Sequence, residues 1–558
     1  DDEIISSPEM NANIPCDVGI TQGATQITGN FEAEEAQELA ALIQGGALPV
    51  EVERIEQRVV GPTLGQAAID ASFQAAIIGI AVTGLFILWV YRLVGLMAAI
   101  ALGGYALISL GTLTALGATL TLPGLAGFVL AIGMAVDANV LVFERAREDY
   151  VDGNIKSKRK ALRSGFRNAL SAIADSSVTT LIAATLLFFL ASGPVRGFGI
   201  TLSIGVLASL FSALIVTRVL AEIAVSRGWV ERNPKWSGIG AHTKFRLWLR
   251  RIKPNLMQHS RRFLVGSLIA VIIATAGILV RGMNFGVEFT GGRQLAIETE
   301  QPIDIDDARD IIAETGYPTA IVQETEDADI SVRTEEISDA EARGIAEAIG
   351  ETTGGADIVR DELIGPSLGE ELQRNALIAL AVALAAQLAY LAIRFRWTFS
   401  TGAVAALFQN VVLVIGLFAW LGKSIDGIFL AALLTIIGYT VNDTVVLFDR
   451  IREDWRRDPT ADFRVTTNGA ILNTLPRTLN TGLSTLFILV ALFLLGGDSL
   501  SDFALALIVG LLVGMYSSNF TAAPIALELE EKYPAPIPEE KEKKPAGTRE
   551  DPNYGAVV

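Results

Sequence analysis

The stretch GMAVDANVLVFERARED, residues 133–149, limits what this chain can fold into more than any other. It is an apolar helical run that carries one acid, Asp137, and stops in a mixed charge cluster at Glu144, Arg145 and Arg147. It returns as GYTVNDTVVLFDRIRED at 438–454, offset by 305 residues, with 8 of 17 positions identical and no gap. In the second copy the acid has moved one place: Asn442 stands where Asp137 stood, and Asp443 follows it. At 1.5 Å rise per residue, each carboxylate lies roughly 10–12 Å inside the charged boundary of its helix. Ionised at that depth in a bilayer it would cost about 3 kcal/mol or more, so an intramembrane acid is a functional-site candidate by default. Two acids at matching positions of a duplicated unit make a stronger case than one.

The surroundings of the two copies are those of a polytopic α-helical membrane protein. The chain is 51% hydrophobic with the apolar residues in long runs, and a bilayer core needs about 20 such residues per crossing. Five spans are expected at about 74–95, 94–116, 122–143, 168–192 and 197–224, a sixth at about 262–282, and five more at about 373–394, 398–421, 425–448, 472–495 and 502–526. A net charge of −17 argues against a nucleic-acid partner. One cysteine and two histidines cannot build a disulfide or a Cys/His metal site. Neither a GxxxxGK[ST] loop nor a GxGxxG after a strand is present. No cofactor is therefore expected, and no nucleophile–base cluster points to an enzyme. Work would be driven by an ion gradient, with H⁺ as coupling ion and Na⁺ as the alternative.

Two soluble stretches interrupt the spans. Residues 1–70 read as the trailing part of a domain, with a helix at FEAEEAQELAALIQGG and a strand in LPVEVERIEQRVVGP. Residues 284–370 alternate as strand, helix, strand, strand, helix, strand, the βαββαβ order of a ferredoxin-like α+β domain. The expected organisation is thus 1–70, the end of a first extracytoplasmic domain; 71–226, five spans; 227–261, a cytosolic linker; 262–283, one span; 284–370, the second extracytoplasmic domain; 371–528, five spans; and 529–558, a disordered tail rich in Pro, Glu and Lys. HTKFRLWLRRIK (242–253) in the linker is either a basic amphipathic segment on the membrane surface or plain linker. Basic residues crowd the loops at 145–167, 225–261 and 450–464, which places those loops and the C-terminus in the cytosol and both soluble domains outside.

The repeat extends beyond the opening motif. VVGPTLG (59–65) matches LIGPSLG (363–369), DSSVTTL (175–181) aligns with NTGLSTL (480–486), and Phe198 and Gly205 align with Phe503 and Gly510. Six crossings separate equivalent spans, an even number, so the halves are parallel pseudo-symmetric repeats about an axis along the membrane normal. The second half has a span before its outer domain, whereas the first half starts inside its own. One N-terminal span and the start of the first domain are therefore expected to precede residue 1, and the chain begins without methionine.

Four charges lie inside spans: Asp137, Asp175, Asp443 and Arg477. The first half offers two acids and no base, the second an acid and a base. Asn139 and Asn442 are the polar neighbours of the acids. A satisfied structural pair is the alternative to an ion pathway. Gly133 and Gly438 read as close-packing sites between helices.

VDANVLVFERARED resembles the fourth-span signature of SecD. GYTVNDTVVLFDRIRED, PRTLNTGLSTL and MNFGVEFTGG (283–292) resemble signatures of SecF, and ITGNFEAEEAQELA with GALP (46–49) resembles the end of the first outer domain of SecD. Together they cover nearly the whole chain, which resembles a fused SecDF of the resistance-nodulation-division superfamily. That resemblance implies an accessory subunit of the Sec translocon in the cytoplasmic (inner) membrane, using the proton motive force to drive late-stage preprotein translocation. The implied partners are the translocon channel with its associated membrane subunits, unfolded preprotein on the extracytoplasmic side, and the lipid bilayer. It also implies that Asp137, Asp443 and Arg477 form the proton pathway, with Asp175, Asn139 and Asn442 beside them. Glu288 stands where the family usually has Asp, and Ser177 where Asn usually follows Asp-Ser. The competing readings are a proton-driven exporter of lipid or hydrophobic small molecules, and a passive scaffold that docks other membrane proteins.

Overall fold

The computed structural model describes residues 39–40 and 54–534, apart from 154, 192, 233–235 and 326–329, and omits the side chains of 63, 64, 232, 498 and 499. Contacts divide the chain into Asp1–Arg54 and Ile55–Val558. Of the helix expected at 31–46 only residues 39–40 are described, and they are helical; the rest of it and the tail beyond 534 lie outside the described residues.

Among the described residues, ten helices are long and apolar enough to cross a membrane, and the chain is a multi-pass membrane protein. The first half holds α1 (Pro62–Ala115), α2 (Leu122–Val151) and α3 (Lys158–Leu190), then α4, which runs from Gly193–Phe211 through a π turn at Ser212–Val216 into Thr217–Ser226. α1 makes two crossings, because the chain reverses at Arg92, whose φ is +51°. Beyond the reversal, a Cβ on Gly95 would lie 2.3 Å from the Ile87 carbonyl oxygen, so only glycine allows so close a return. Crossings were expected from residue 74, but the helix already begins at Pro62, where proline suits the first helical position.

A short helix, α5 (Lys244–Ile252), precedes α6 (Ser260–Arg281). After the α+β domain the second half repeats the first: α10 (Pro366–Arg394), α11 (Trp397–Leu421), α12 (Gly427–Arg457) and α13 (Phe463–Leu495). The last helix, α14, runs from Asp498–Ser517 through a π turn at Ser518–Ala522 into Ala523–Lys532. α3 and α13 are both 33 residues long, and the π turns of α4 and α14 fall at the same place in each half. Disorder was expected from residue 529, but the helix continues to Lys532. Glu528, Glu530 and Glu531 hold it there by pairing with Arg261 of α6, Arg396 before α11 and Arg464 of α13.

Side chains at equivalent positions meet their own counterparts, which traces the two-fold axis through the bundle. Phe198 and Phe503 stack edge to face with centroids 5.4 Å apart. Asn442 donates to Asp137. At the basic end the pairs are reciprocal, Arg145 with Glu453 at 2.8 Å and Arg450 with Glu148 at 3.3 Å. The glycines obey the same symmetry: a Cβ on Gly133 would sit 3.3 Å from Cα of Thr485, and one on Gly438 would sit 3.3 Å from Cα of Thr180. Each acid-bearing helix therefore packs backbone-close on the other half, as small residues permit in a membrane, where there is no hydrophobic drive between helices.

The α+β domain follows α6 as β2 (Asn284–Phe285), a single turn α7 (Val287–Thr290), β3 (Gly292–Thr299), α8 (Ile305–Glu314), β4 (Ile321–Glu324), β5 (Ile330–Thr334), α9 (Asp339–Thr353) and β6 (Ala356–Ile364). From β3 on, the βαββαβ order holds, with antiparallel neighbours in the order β6-β3-β5-β4. Leu295, Ile297, Val322, Ile330 and Val332 bury one sheet face against Ala308, Ile312, Ile345 and Ile349 of the two helices, as period-two alternation requires. Ser338 and Glu341 form a capping box on α9. To the four strands of that order the sheet adds a fifth, β1 (Glu56–Val60), paired antiparallel with β6 from Glu56↔Ile364 to Val60↔Arg360. An edge strand leaves its N–H and C=O groups unpaired, and the segment before α1 supplies the partners.

Candidate functional site

The domain is fastened to the start of α12. β2 pairs in parallel with β7 (Ser424–Ile425), immediately before that helix. Glu288 Oε2 accepts a hydrogen bond from the Gly427 amide at 2.6 Å, and its Oε1 lies 2.8 Å from Arg58 Nη2 on β1. One carboxylate thus joins β1, α7 and the first residue of α12. Asp426 caps the helix by accepting from the Phe429 amide at 2.7 Å. Arg333 of β5 donates to Asn284 Oδ1, the Phe285 carbonyl and Ser424 Oγ. Burial, then the neighbouring Glu288, pushes the Asp426 carboxyl up to about 7.

Sixteen residues along α12, about 24 Å at the helical rise, lies Asp443. Arg477 Nη2 of α13 donates to Asp443 Oδ1 at 3.1 Å, and the two residues are only 5% and 8% exposed. Pro476, immediately before Arg477, removes one helical N–H and leaves the Leu472 carbonyl without its usual donor. One residue earlier on α12, Asn442 Nδ2 donates to Asp137 Oδ2 of α2 at 2.5 Å. Successive residues on a helix are 100° apart. Asn442 therefore faces the axis, and Asp443 faces α13. The one-place shift of the acid between the repeats separates an axial carboxylate from one paired with a guanidinium.

Asp137 also lines a cavity of about 30 Å³ with Ser176, Ser177, Thr180, Tyr439 and Asn442, room for a water or two. A vestibule of about 480 Å³ opens at the basic end, walled by Glu144, Arg145, Arg394, Asp449 and Arg450, and it reaches Arg477. Leu141 and Ala172 belong to the walls of both spaces. These two apolar side chains separate the axial acid from the vestibule.

Asp175 and Asn139 lie apart from this centre. Asp175 accepts from Arg394 at 3.1 Å, and Arg394 also pairs with Asp449 at 3.0 Å. The base that the first half lacked comes from the end of α10 in the second half. Asn480, at the position equivalent to Asp175, donates to Tyr91 Oη, which donates in turn to Glu144. Each half's first crossing thus ends against the other half's fourth. Asn139, two positions and about 200° round from Asp137, donates to the Ala135 carbonyl, and its Oδ1 is buried without a protein partner among the described residues. Arg394, Asp449 and Tyr439 went unrecognised in the sequence, since their partners come from helices remote along the chain.

A family model described as "Protein export membrane protein SecD/SecF, C-terminal" matches residues 44–226 and 345–532. Models described as "SecDF, P1 head subdomain" and "SecD/SecF GG Motif" match residues 1–50 and 276–303. The protein translocase subunit SecDF of Bacillus subtilis is 34% identical over 522 residues, 90% of this chain and 70% of that one. The SecDF of Thermus thermophilus is 37% identical over 516 residues, 91% and 68%. A crystal structure of the Thermus protein, described as a translocon-associated membrane protein, superposes with a TM-score of 0.79 at 36% identity, covering 90% of this chain and 68% of that one. SecDF in a super-membrane-facing form gives a TM-score of 0.68 at 36% identity, over 91% and 68%.

Proposed function

Because this chain belongs to the SecD/SecF family of protein-export membrane proteins, we propose that it is an accessory subunit of the Sec translocon that uses the proton motive force to pull preproteins across the cytoplasmic membrane late in translocation. The basic end of the bundle faces the cytosol, in keeping with the positive-inside rule, and the α+β domain faces outward, toward the emerging polypeptide.

The observation that carries this reading is the buried Asp443–Arg477 pair beside the axial Asp137–Asn442 pair. Desolvation favours the neutral form of an acid, and a fixed guanidinium favours its charged form. A carboxylate between those opposing effects gains or loses a proton when its surroundings change. A proton crossing the full potential supplies about 2.3 kcal/mol per 100 mV, enough to bias a packed helix pair between two arrangements. α12 carries Asp443 at mid-length and is fastened at its first residue to the α+β domain through Glu288. A shift of α12 is therefore delivered to that domain and, through Arg58, to β1. The exporter reading has no comparable support, since the strands and helices of the domain fill their own core.

The test is preprotein export by inverted membrane vesicles containing the full protein, with and without an imposed proton gradient. Asp443→Asn, Asp137→Asn and Arg477→Ala should each abolish the gradient-dependent part while the protein stays folded and inserted. Full gradient stimulation in Asp443→Asn vesicles would overturn the mechanism and leave a structural pair.

A further inference from the structure

A cavity of about 620 Å³ lies at the basic end between the reversal of α1, the middle of α13 and the linker leading into α5. Its position is that of a membrane boundary. From residue 71 to residue 91 the chain carries no charge, and Arg92 ends that run. The cavity's apolar side consists of Phe86, Trp89, Leu479 and Leu483, with Trp89 78% exposed. Its polar side holds Arg92, Lys244 and His242.

Arg92 is held in the left-handed region, which costs a non-glycine residue on the order of 1–3 kcal/mol and persists where the surroundings impose it. The linker imposes it here: the Leu93 amide donates to the Trp236 carbonyl at 3.1 Å, and Arg147 donates to the Gly238 carbonyl at 2.7 Å. His242 has a side chain only 4% exposed, with Nε2 at 2.9 Å from both Asp152 Oδ1 and Arg250 Nη1. Its other ring nitrogen, Nδ1, is buried without a protein partner among the described residues. A buried polar atom left unmade is costly. This one belongs to a residue lining a space with cations on one side and aromatic and aliphatic groups on the other.

We propose that this cavity binds one anionic phospholipid of the adjoining leaflet, with its phosphate between Arg92, Lys244 and the His242 ring and an acyl chain along Trp89, Phe86, Leu479 and Leu483. The volume suits a headgroup and the upper part of one acyl chain, the remainder lying in the bilayer. Anionic lipids at a membrane surface attract neighbouring Lys and Arg, and tryptophan favours the level of the headgroups. Arg477 is the residue after Pro476, which lines the same cavity, so the bound lipid lies against the helix segment that carries the ion pair.

The full chain, stripped of lipid in detergent and titrated with phosphatidylglycerol or phosphatidylcholine, should retain phosphatidylglycerol preferentially when bound lipid is counted by native mass spectrometry. Lys244→Gln should weaken that retention roughly five-fold. Arg92→Gly should do the same while relaxing the backbone, and Lys160→Gln, a distant exposed lysine at the same end, should leave it unchanged. Trp89→Ala should weaken retention of both lipids. Equal retention of the two lipids by the wild type, or unchanged phosphatidylglycerol retention in both Lys244→Gln and Arg92→Gly, would overturn the proposal. Displacement of the lipid by millimolar inorganic phosphate would also overturn it, by showing a site for soluble anions.

Discussion

Asp443→Asn does more than remove a titratable group, because it leaves the Arg477 guanidinium without its counter-charge. Breaking a fully enclosed pair in this way costs about 3–5 kcal/mol. Arg477 borders the vestibule at the basic end, where water can reach it, so the loss of stability should fall below that range. In Asp137→Asn the axial contact becomes amide to amide, and thermal unfolding in detergent should show almost no change. At the other end of α12, Asp426 makes a pH prediction. Its carboxyl is raised from 3.8 to about 7 by burial and by Glu288, so the folded protein holds a proton that the unfolded chain releases. The stability tied to that proton is complete below about pH 3.8 and is lost as pH rises through about 7. The protection factor of the Phe429 amide, its exchange rate corrected for the intrinsic pH dependence, should therefore be higher at pH 5.5 than at pH 8, and Asp426→Asn, which keeps the cap, should remove the difference. The Asp443–Arg477 contact could be anticipated from the sequence, since both residues lie at similar depths on consecutive spans. Asp175 with Arg394 could not, because the two residues are 219 positions apart along the chain.

Among elements, the amphipathic pattern and capping signals define each helix, but they carry no trace of which helices meet. The strand at 56–60 could be seen in the alternation of its residues. Its pairing with β6 is a long-range event that alternation does not encode. The glycines were more informative, because a helical glycine four or five residues before a buried acid has few uses besides close packing. Gly427 is a further case: a Cβ there would lie 2.4 Å from Glu288 Oε2. Gly427→Ala should push the domain off the end of α12 and lower gradient-driven export several-fold without altering proton-pair chemistry. Glu288→Gln keeps an acceptor for the Gly427 amide and gives up only the ion pair with Arg58, so it should have the milder effect. Comparing the two in vesicles tests whether the joint transmits force through contact or through charge. At the basic end, Arg145→Glu should cost roughly 1 kcal/mol, and adding Glu453→Arg should restore only part of it, because Glu148 and Arg450 then face like charges.

At the scale of the whole molecule, the offset of 305 residues revealed the parallel repeats, and the structure adds that the halves interlock through equivalent residues. Arg246 and Arg250 of α5 pair with Glu148 of α2 and with Asp152, which caps that helix, while Leu256 donates to Asn468 of α13. The segment between Lys253 and Asn255 thus joins a stretch paired with first-half carboxylates to one bonded to Asn468 of the second half. A protein expressed as two pieces divided there should co-purify as one complex with gradient-dependent activity. Separate pieces would show that the covalent link is required. The meeting of Asp137 with Asn442 has a genetic consequence as well. In an ancestor made of two identical copies, any side chain on the axis would have faced itself, acid against acid or amide against amide. Only after duplication could a single codon change one side alone. Asn442→Asp would make the axial pair symmetric, setting two carboxylates at hydrogen-bond distance, an arrangement that needs a proton shared between them. The variant should thus titrate as a coupled axial pair, while the Asp443–Arg477 pair still distinguishes the two halves.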